Sequence, residues 1–364
     1  MELVETSRIM WTPFHESTLA AGVTAVTVYN HTMLPLSYGD PEAEYRRLTE
    51  GVAIWDVACQ RQVQLAGPDA GDLAQILCTR DLSQARVGQG KYTAMVDHQG
   101  RLINDPLVLR ADDDVWWLSL ADGDMLQWCR AIASERQMSV EVSDANVAPL
   151  AVQGPLAEDV VAALLGDWIR EIKFFNYHRA EVDGIPMRVG RAGWSKQGGF
   201  ELYLEDATRG NDLWDLVMAA GEPFEIGPGG PNAIERVQSG LLSYRTETTD
   251  DTDPFEAGLG KYVDLEASDF IGRDALIEKR ERGLQRSLVG VVFDEHPGVL
   301  KNPWPVMATG QVVGSVRVVV VSPKVGRSIG MAMIDVPHNV PGTDLVTSSP
   351  NGEWSITVAA LPFV

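Results

Sequence analysis

After the basic run Lys279-Arg280-Glu281-Arg282-Gly283 the chain offers only strand patterns, whereas everything before it mixes strands with helices. Leu288-Val289-Gly290-Val291-Val292, Gln311-Val312-Val313-Gly314-Ser315-Val316 and Ser328-Ile329-Gly330-Met331-Ala332 are short apolar runs separated by proline and glycine turns. Several short strands with no helix among them bury their apolar faces by closing into a barrel or stacking as a sandwich. The segment 284–364 is therefore expected to be a small β-barrel or sandwich, and the whole chain α+β.

Upstream, Pro41-Glu42-Ala43-Glu44-Tyr45-Arg46-Arg47-Leu48 reads as a helix with proline and acids in its first turn. Gln62-Val63-Gln64-Leu65 alternates as a strand, and Gly67-Pro68-Asp69 turns into a helix over 69–78. A hairpin over 101–120 around Ala111-Asp112-Asp113-Asp114 and a helix over 122–135 complete a ferredoxin-like order across 51–146. A second unit opens with a strand at 148–153, the Gly154-Pro155 turn and a helix at 156–165. Paired strands at 179–190 and 199–204, helices at 211–220 and 231–243, and the acidic loop Asp250-Asp251-Thr252-Asp253-Pro254 continue it.

Composition excludes several function classes. A net charge of −21 over 364 residues opposes nucleic acids and anionic membranes as partners. No run approaches the ~18 apolar residues of a membrane span. The opening Met1-Glu2-Leu3-Val4-Glu5 is acidic where a signal peptide needs a basic start, so a cytoplasmic protein is expected. The three cysteines lack C-x-x-C spacing and the six histidines lack H-x-x-x-H spacing, so no metal is expected.

The stretch that speaks most directly of chemistry is Gly193-Trp194-Ser195-Lys196-Gln197-Gly198-Gly199-Phe200-Glu201-Leu202-Tyr203-Leu204. A flat heterocycle can stack on Trp194 while Glu201 accepts hydrogen bonds from paired ring N–H groups. The aminopyrimidine edge of a pterin carries such donors; adenine and flavin do not. By itself the pattern is equally a β-turn followed by a half-buried strand.

This stretch resembles the glutamate-bearing segment of the glycine-cleavage T-protein (aminomethyltransferase) family. Further matches follow in the same order: Asp56-Val57, Tyr92, Gly100-Arg101-Leu102-Ile103-Asn104-Asp105 and Gln153-Gly154-Pro155. Pro254-Phe255-Glu256-Ala257-Gly258-Leu259, Ile271-Gly272-Arg273-Asp274-Ala275-Leu276 and Ser322-Pro323 complete them. Within the superfamily the wording is most similar to the dimethylsulfoniopropionate demethylases. The phrases that carry this are Val28-Tyr29-Asn30-His31, Trp55-Asp56-Val57-Ala58-Cys59, Asn104-Asp105-Pro106, Ser119-Leu120-Ala121-Asp122 and Pro231-Asn232-Ala233-Ile234-Glu235-Arg236.

The resemblance implies a three-domain, clover-leaf arrangement. A discontinuous folate-binding domain would take 1–50 and 147–280, a ferredoxin-like domain 51–146, and a barrel 284–364. It implies tetrahydrofolate as cofactor, a small methylated molecule as substrate, and transfer of a methyl group from a sulfonium to N5 of tetrahydrofolate. Glu201, Trp194, Tyr92 and Ser119 would hold folate, with Arg236 reaching either the folate tail or a structural acid. Asp105, Asn104 and Tyr92 would serve the chemistry. The aromatics Tyr29, Trp11 and Trp55 would meet a cationic donor and Arg245 its carboxylate.

Aminomethyltransferases usually carry Asp-Asp where Asn104-Asp105 stands, so the neutral Asn104 argues for plain methyl transfer. Met10-Trp11 replaces a basic residue before Thr12-Pro13-Phe14, and Arg245-Thr246-Glu247-Thr248-Thr249 replaces another family segment. These departures keep other N-, O- or S-methyl donors open (glycine betaine, dimethylglycine, a methoxylated aromatic). An aminomethyltransferase and a non-catalytic folate-binding module remain as further alternatives, and a homodimer stays open.

Overall fold

The computed structural model describes residues 6–266 and 269–364; the acidic opening at 1–5, on which the expected location rests, lies outside them. By contacts the chain divides into two compact units. The first comprises Met1–Ala74, Leu82–Tyr92 and Pro106–Asn232, the second Gln75–Asp81, Thr93–Asp105 and Ala233–Val364.

A six-stranded sheet forms the centre of the first unit. Its order is Tyr177–Val182, Ile185–Gly190, Gly199–Leu204, Ala148–Gln153, Ala53–Asp56 and Gly227–Gly229. The pairs are antiparallel except the last, which runs parallel to Ala53–Asp56. Asp183-Gly184, with both φ positive, makes the tight turn between the first two strands. Alternation along Gly199–Leu204 decides what each face does. Phe200, Leu202 and Leu204 join Ile54, Leu150 and Val152 under helices Ala157–Leu165 and Gly210–Gly221 to make the main core. Glu201 and Tyr203 point to the opposite face, where Trp117 and Leu109 of a second sheet meet Tyr203 and Tyr177.

That second sheet is five-stranded and antiparallel, ordered Glu141–Asp144, Arg61–Ala66, Val115–Leu120, Leu107–Asp112 and Gly90–Tyr92. Helix Met125–Glu135 follows it in sequence, with Leu126, Cys129, Ile132 and Ala133 buried. Before either sheet, strands Ala25–Tyr29 and Thr32–Ser37 pair through Asn30-His31, both with positive φ. The Asn30 amide donates to the Cys59 and Ala121 carbonyls at 3.0 and 2.9 Å, and its backbone N–H to Asp122 at 2.9 Å. Residues from three separate sequence phrases thus lock into one joint.

In the second unit a closed six-stranded barrel forms from Arg286–Phe293, Trp304–Ala308, Gln311–Ser322, Arg327–Asp335, Asp344–Ser349 and Gly352–Ala359. Val291, Phe293, Trp304, Val306, Val316, Ile334 and Ile356 fill it. The fold is the expected α+β with a C-terminal barrel. Several family phrases prove to be clamps: Glu256 takes Arg286 at 3.0 Å, and the Ser322 hydroxyl donates to Gln238 at 2.6 Å. One expectation is corrected. The helix expected over 231–243 is Ala233–Gln238, because Gly240 turns left-handed and the Arg236 side chain reaches back to the Leu241 carbonyl.

Candidate active site

Glu201 is 6% exposed and sits in the middle of its strand, between Gly190 and Ala151. Burial pushes its carboxyl up to about 7, against the pull of Tyr203 and Tyr177 toward the charged form. The Tyr203 hydroxyl donates to Glu201 Oε2 at 3.0 Å and is itself hydrogen-bonded by Ser119, whose Oγ takes the Gln62 amide at 3.1 Å. Among the described residues the Tyr177 hydroxyl, buried beside this pair, finds no hydrogen-bond partner of ordinary geometry, and neither does Gln62 Oε1. The Tyr177 ring lies across Gly190, its register partner, where a Cβ would come within 2.1 Å of two ring carbons.

These groups fit a pterin. A carboxylate has room for about four hydrogen bonds, and among the described residues Glu201 receives one of normal geometry. The network behind it is polar, buried and incompletely satisfied, which is costly until a ligand completes it.

The turn carrying Trp194 is shaped by Gln153. Its side-chain amide donates to the Ala192 carbonyl at 3.1 Å and lies 3.4 Å from that of Phe200, while Oε1 accepts from Ser195 at 2.7 Å. Gly193, at φ +147°, has no space for a Cβ, which would stand 2.0 Å from Gln153 Oε1. Gln153 is flexible alone but pinned by these bonds. Gly193→Ala is therefore expected to cost about 2 kcal/mol and to weaken folate binding by displacing Trp194. Gly184→Ala, at φ +71° with nothing within 4 Å, should cost about 1 kcal/mol and leave binding intact. Denaturant melts and folate titrations of both variants check this; equal folate affinity in the two would detach Trp194 from the site.

The remaining expected site residues fall in different places. Tyr29 and Trp55 share an apolar cluster with Leu34 and Cys59, and Trp55, opposite Ala151, lies on the Glu201 face of the sheet. It is a core residue at 3% exposure, whereas Tyr29 is half-buried. Trp11 stands elsewhere, beside Asp56, whose side chain alternates to the helix-covered face. Tyr92 is half-buried at the end of its strand opposite Leu107, and Trp194 is half-buried in its turn.

In the second unit Asn104 is buried, with its Oδ1 accepting the Asp105 N–H at 2.9 Å. The Tyr244 hydroxyl feels the Asp105 charge and bonds with Arg245, which is exposed at φ +68°. Arg236 is buried and paired with buried Glu247 at 2.7 Å, so it displays the structural partner of its two readings. Among the described residues no group of three His, Cys, Asp or Glu could hold a metal, and no helix is long and apolar enough to cross a membrane.

Sequence reasoning passed over Tyr203, Tyr177, Gln62 and Gln153. For Tyr203 the signal was present, since i and i+2 share a strand face. For Tyr177 and Gln62 it was absent, because their places depend on pairing across strands far apart in sequence.

The model of the GCVT N-terminal domain matches residues 14–267, and that of the glycine cleavage T-protein C-terminal barrel domain matches 286–364. The chain is 42% identical over 351 residues to the dimethylsulfoniopropionate demethylase DmdA of Ruegeria pomeroyi, covering 96% of each. It is 32% identical to an aminomethyltransferase of Symbiobacterium thermophilum, covering 92% of each. The crystal structure of aminomethyltransferase T from Bartonella henselae superposes with a TM-score of 0.88 at 21% identity over 98% of both chains, which establishes the fold. The chain belongs to the glycine-cleavage T-protein family, as an enzyme of one-carbon transfer.

Proposed function

We propose that this protein is a tetrahydrofolate-dependent demethylase that moves a methyl group from a sulfonium such as dimethylsulfoniopropionate to N5 of tetrahydrofolate. The observation that carries this reading is the 42% identity to DmdA along 96% of both chains, well above the 32% to an aminomethyltransferase. The neutral Asn104 supports it, since a lipoyl-bound methyleneamine would call for an ionisable group there.

When bound, tetrahydrofolate supplies the nucleophile: an N5–C bond forms as the S–C bond breaks, the bonding pair stays on sulfur, and the N5 proton passes to water. The leaving group is a neutral thioether, so no strong base is required of the chain. Its task is alignment, which can supply about 7–11 kcal/mol of the barrier. Glu201 accepts the pterin N–H pair, Tyr203 fixes the carboxylate, and Ser119 fixes Tyr203. Trp194 and Tyr92 supply aromatic surface for folate. Tyr29, half-buried at the end of its strand, offers an aromatic face to the cationic donor.

Because the carboxylate form accepts the ring donors, folate affinity should rise about tenfold per pH unit below about 7 and level off above it. Titrations of tetrahydrofolate from pH 5.5 to 8.5 check this, and a flat profile contradicts Glu201 as the pterin acceptor. A second reading keeps the acceptor and changes the donor; it is favoured by the departure from the family pattern at 245–249. Incubating the protein with tetrahydrofolate and a panel of dimethylsulfoniopropionate, glycine betaine, dimethylglycine and a methoxylated aromatic decides between them. 5-Methyltetrahydrofolate from the sulfonium supports the first reading, and from another donor alone the second.

A further inference from the structure

The helix-covered side of the first unit holds a cavity of ≈ 230 Å³ lined by Trp11, Thr12, His15, Met33, Pro35 and Asp56 among others. Asp56 is 2% exposed. Oδ2 accepts from the Thr12 hydroxyl at 2.5 Å and Oδ1 from the Ala58 N–H at 3.1 Å. Both donors are neutral. Burial raises the carboxyl to about 7, and among the described residues no cationic side chain pairs with it. A buried carboxylate is normally paired with a cation, since its desolvation is otherwise uncompensated. Here the space beside it is open.

The walls restrict what can fill that space. Trp11 stacks on His15 with centroids 3.7 Å apart and remains 38% exposed at the rim. Met33, Pro35 and Val26 are apolar, and the Thr18 and Thr24 hydroxyls are taken by the His15 and Ser37 carbonyls. One carboxylate among apolar and aromatic walls suits neither a metal ion, which needs several ligands, nor an anion. The volume lies below the ~300–1,000 Å³ of drug-sized sites. A net charge of −21 concentrates cations at the surface.

We propose that this cavity binds a small organic cation, an ammonium or sulfonium centre bearing short alkyl groups, with Asp56 as counter-charge and Trp11 as aromatic wall. The site lies on the opposite face of the six-stranded sheet from Glu201 and does not depend on the reading of the transfer reaction. Binding is coupled to a proton, because the ligand pairs with ionised Asp56 and displaces the proton from the fraction still neutral at pH 7. The other titratable groups around Asp56 are His15 across the cavity and Tyr38 and Cys59 behind it. The last two are raised first by burial and then by the Asp56 charge, with Glu44 also acting on Tyr38 and Asp122 on Cys59.

The test is calorimetric titration of the full chain at pH 7 with tetramethylammonium chloride against sodium chloride at equal ionic strength, in two buffers of different ionisation enthalpy. Saturable binding in the millimolar range, release of part of a proton, and a loss of about tenfold in both Asp56→Asn and Trp11→Ala are expected. Trp11 is at the rim, so Trp11→Ala should keep the fold, checked by circular dichroism, should Asp56→Asn lose it. Heats no larger than those of sodium, or an affinity that Trp11→Ala leaves unaltered, overturn the proposal.

Discussion

Glu201→Gln is expected to weaken tetrahydrofolate binding on the order of 100-fold while making the ligand-free protein more stable. The binding loss follows from hydrogen-bond arithmetic: a carboxylate accepting two ring donors becomes an amide with one acceptor and one mismatched donor, costing about 3 kcal/mol. The stability gain follows from burial. A carboxyl raised from 4.5 to about 7 contributes stability that is complete below 4.5 and is lost as pH rises through about 7. Glutamine does not titrate, so the variant gains on the native chain across that window, by roughly 3 kcal/mol at pH 8 and by nothing near pH 4. Denaturant unfolding at both pH values, beside folate titrations, separates the terms. A variant destabilised at pH 8 would mean that Glu201 is not held as a desolvated acid.

Arg236→Ala is expected to destabilise the protein by about 3–5 kcal/mol, because it leaves the Glu247 carboxylate buried without its cation. Burial already pushes that carboxyl up, with Arg236 pulling it back. The same arginine holds the Leu241 carbonyl, and Glu247 Oε2 takes the Ser243 N–H at 2.7 Å, so the turn after helix Ala233–Gln238 should loosen together with the pair. Replacing both partners by apolar residues of similar volume, Arg236→Met with Glu247→Leu, should recover most of the loss. Unfolding curves of the single and double variants supply the cycle. A stable Arg236→Ala that instead loses folate affinity would make the arginine a ligand for the folate tail.

Local patterns were legible where they had one solution. The strand at 199–204, the proline-led helix from Pro41 and the all-strand tail follow from periodicity and turn chemistry. Gly227–Gly229 was not legible, since Gly-Pro-Gly has no strand signal and is paired only because Ala53–Asp56 offers it an edge. The site shows the same division. Glu201 was marked by its motif, but its partners Tyr177, Ser119 and Gln62 come from strands that sequence alone does not pair. Trp11 and Trp55 were equally plausible aromatics for one donor, yet strand alternation sends Trp55 and Asp56 to opposite faces, and Trp11 accompanies Asp56. Asp56, which the sequence marked only as part of a phrase, lines the second cavity for that reason.

The most direct test of the central claim follows one-carbon transfer by mass spectrometry in the native chain and in Glu201→Gln. Purified protein is mixed with tetrahydrofolate and dimethylsulfoniopropionate carrying isotopically labelled methyl groups. The account predicts labelled 5-methyltetrahydrofolate in equal amount with the demethylated thioether, and little of either from Glu201→Gln at subsaturating folate. Methylenetetrahydrofolate formed from a lipoyl-bound methyleneamine, with no methyl product from any sulfonium or ammonium donor, would contradict it.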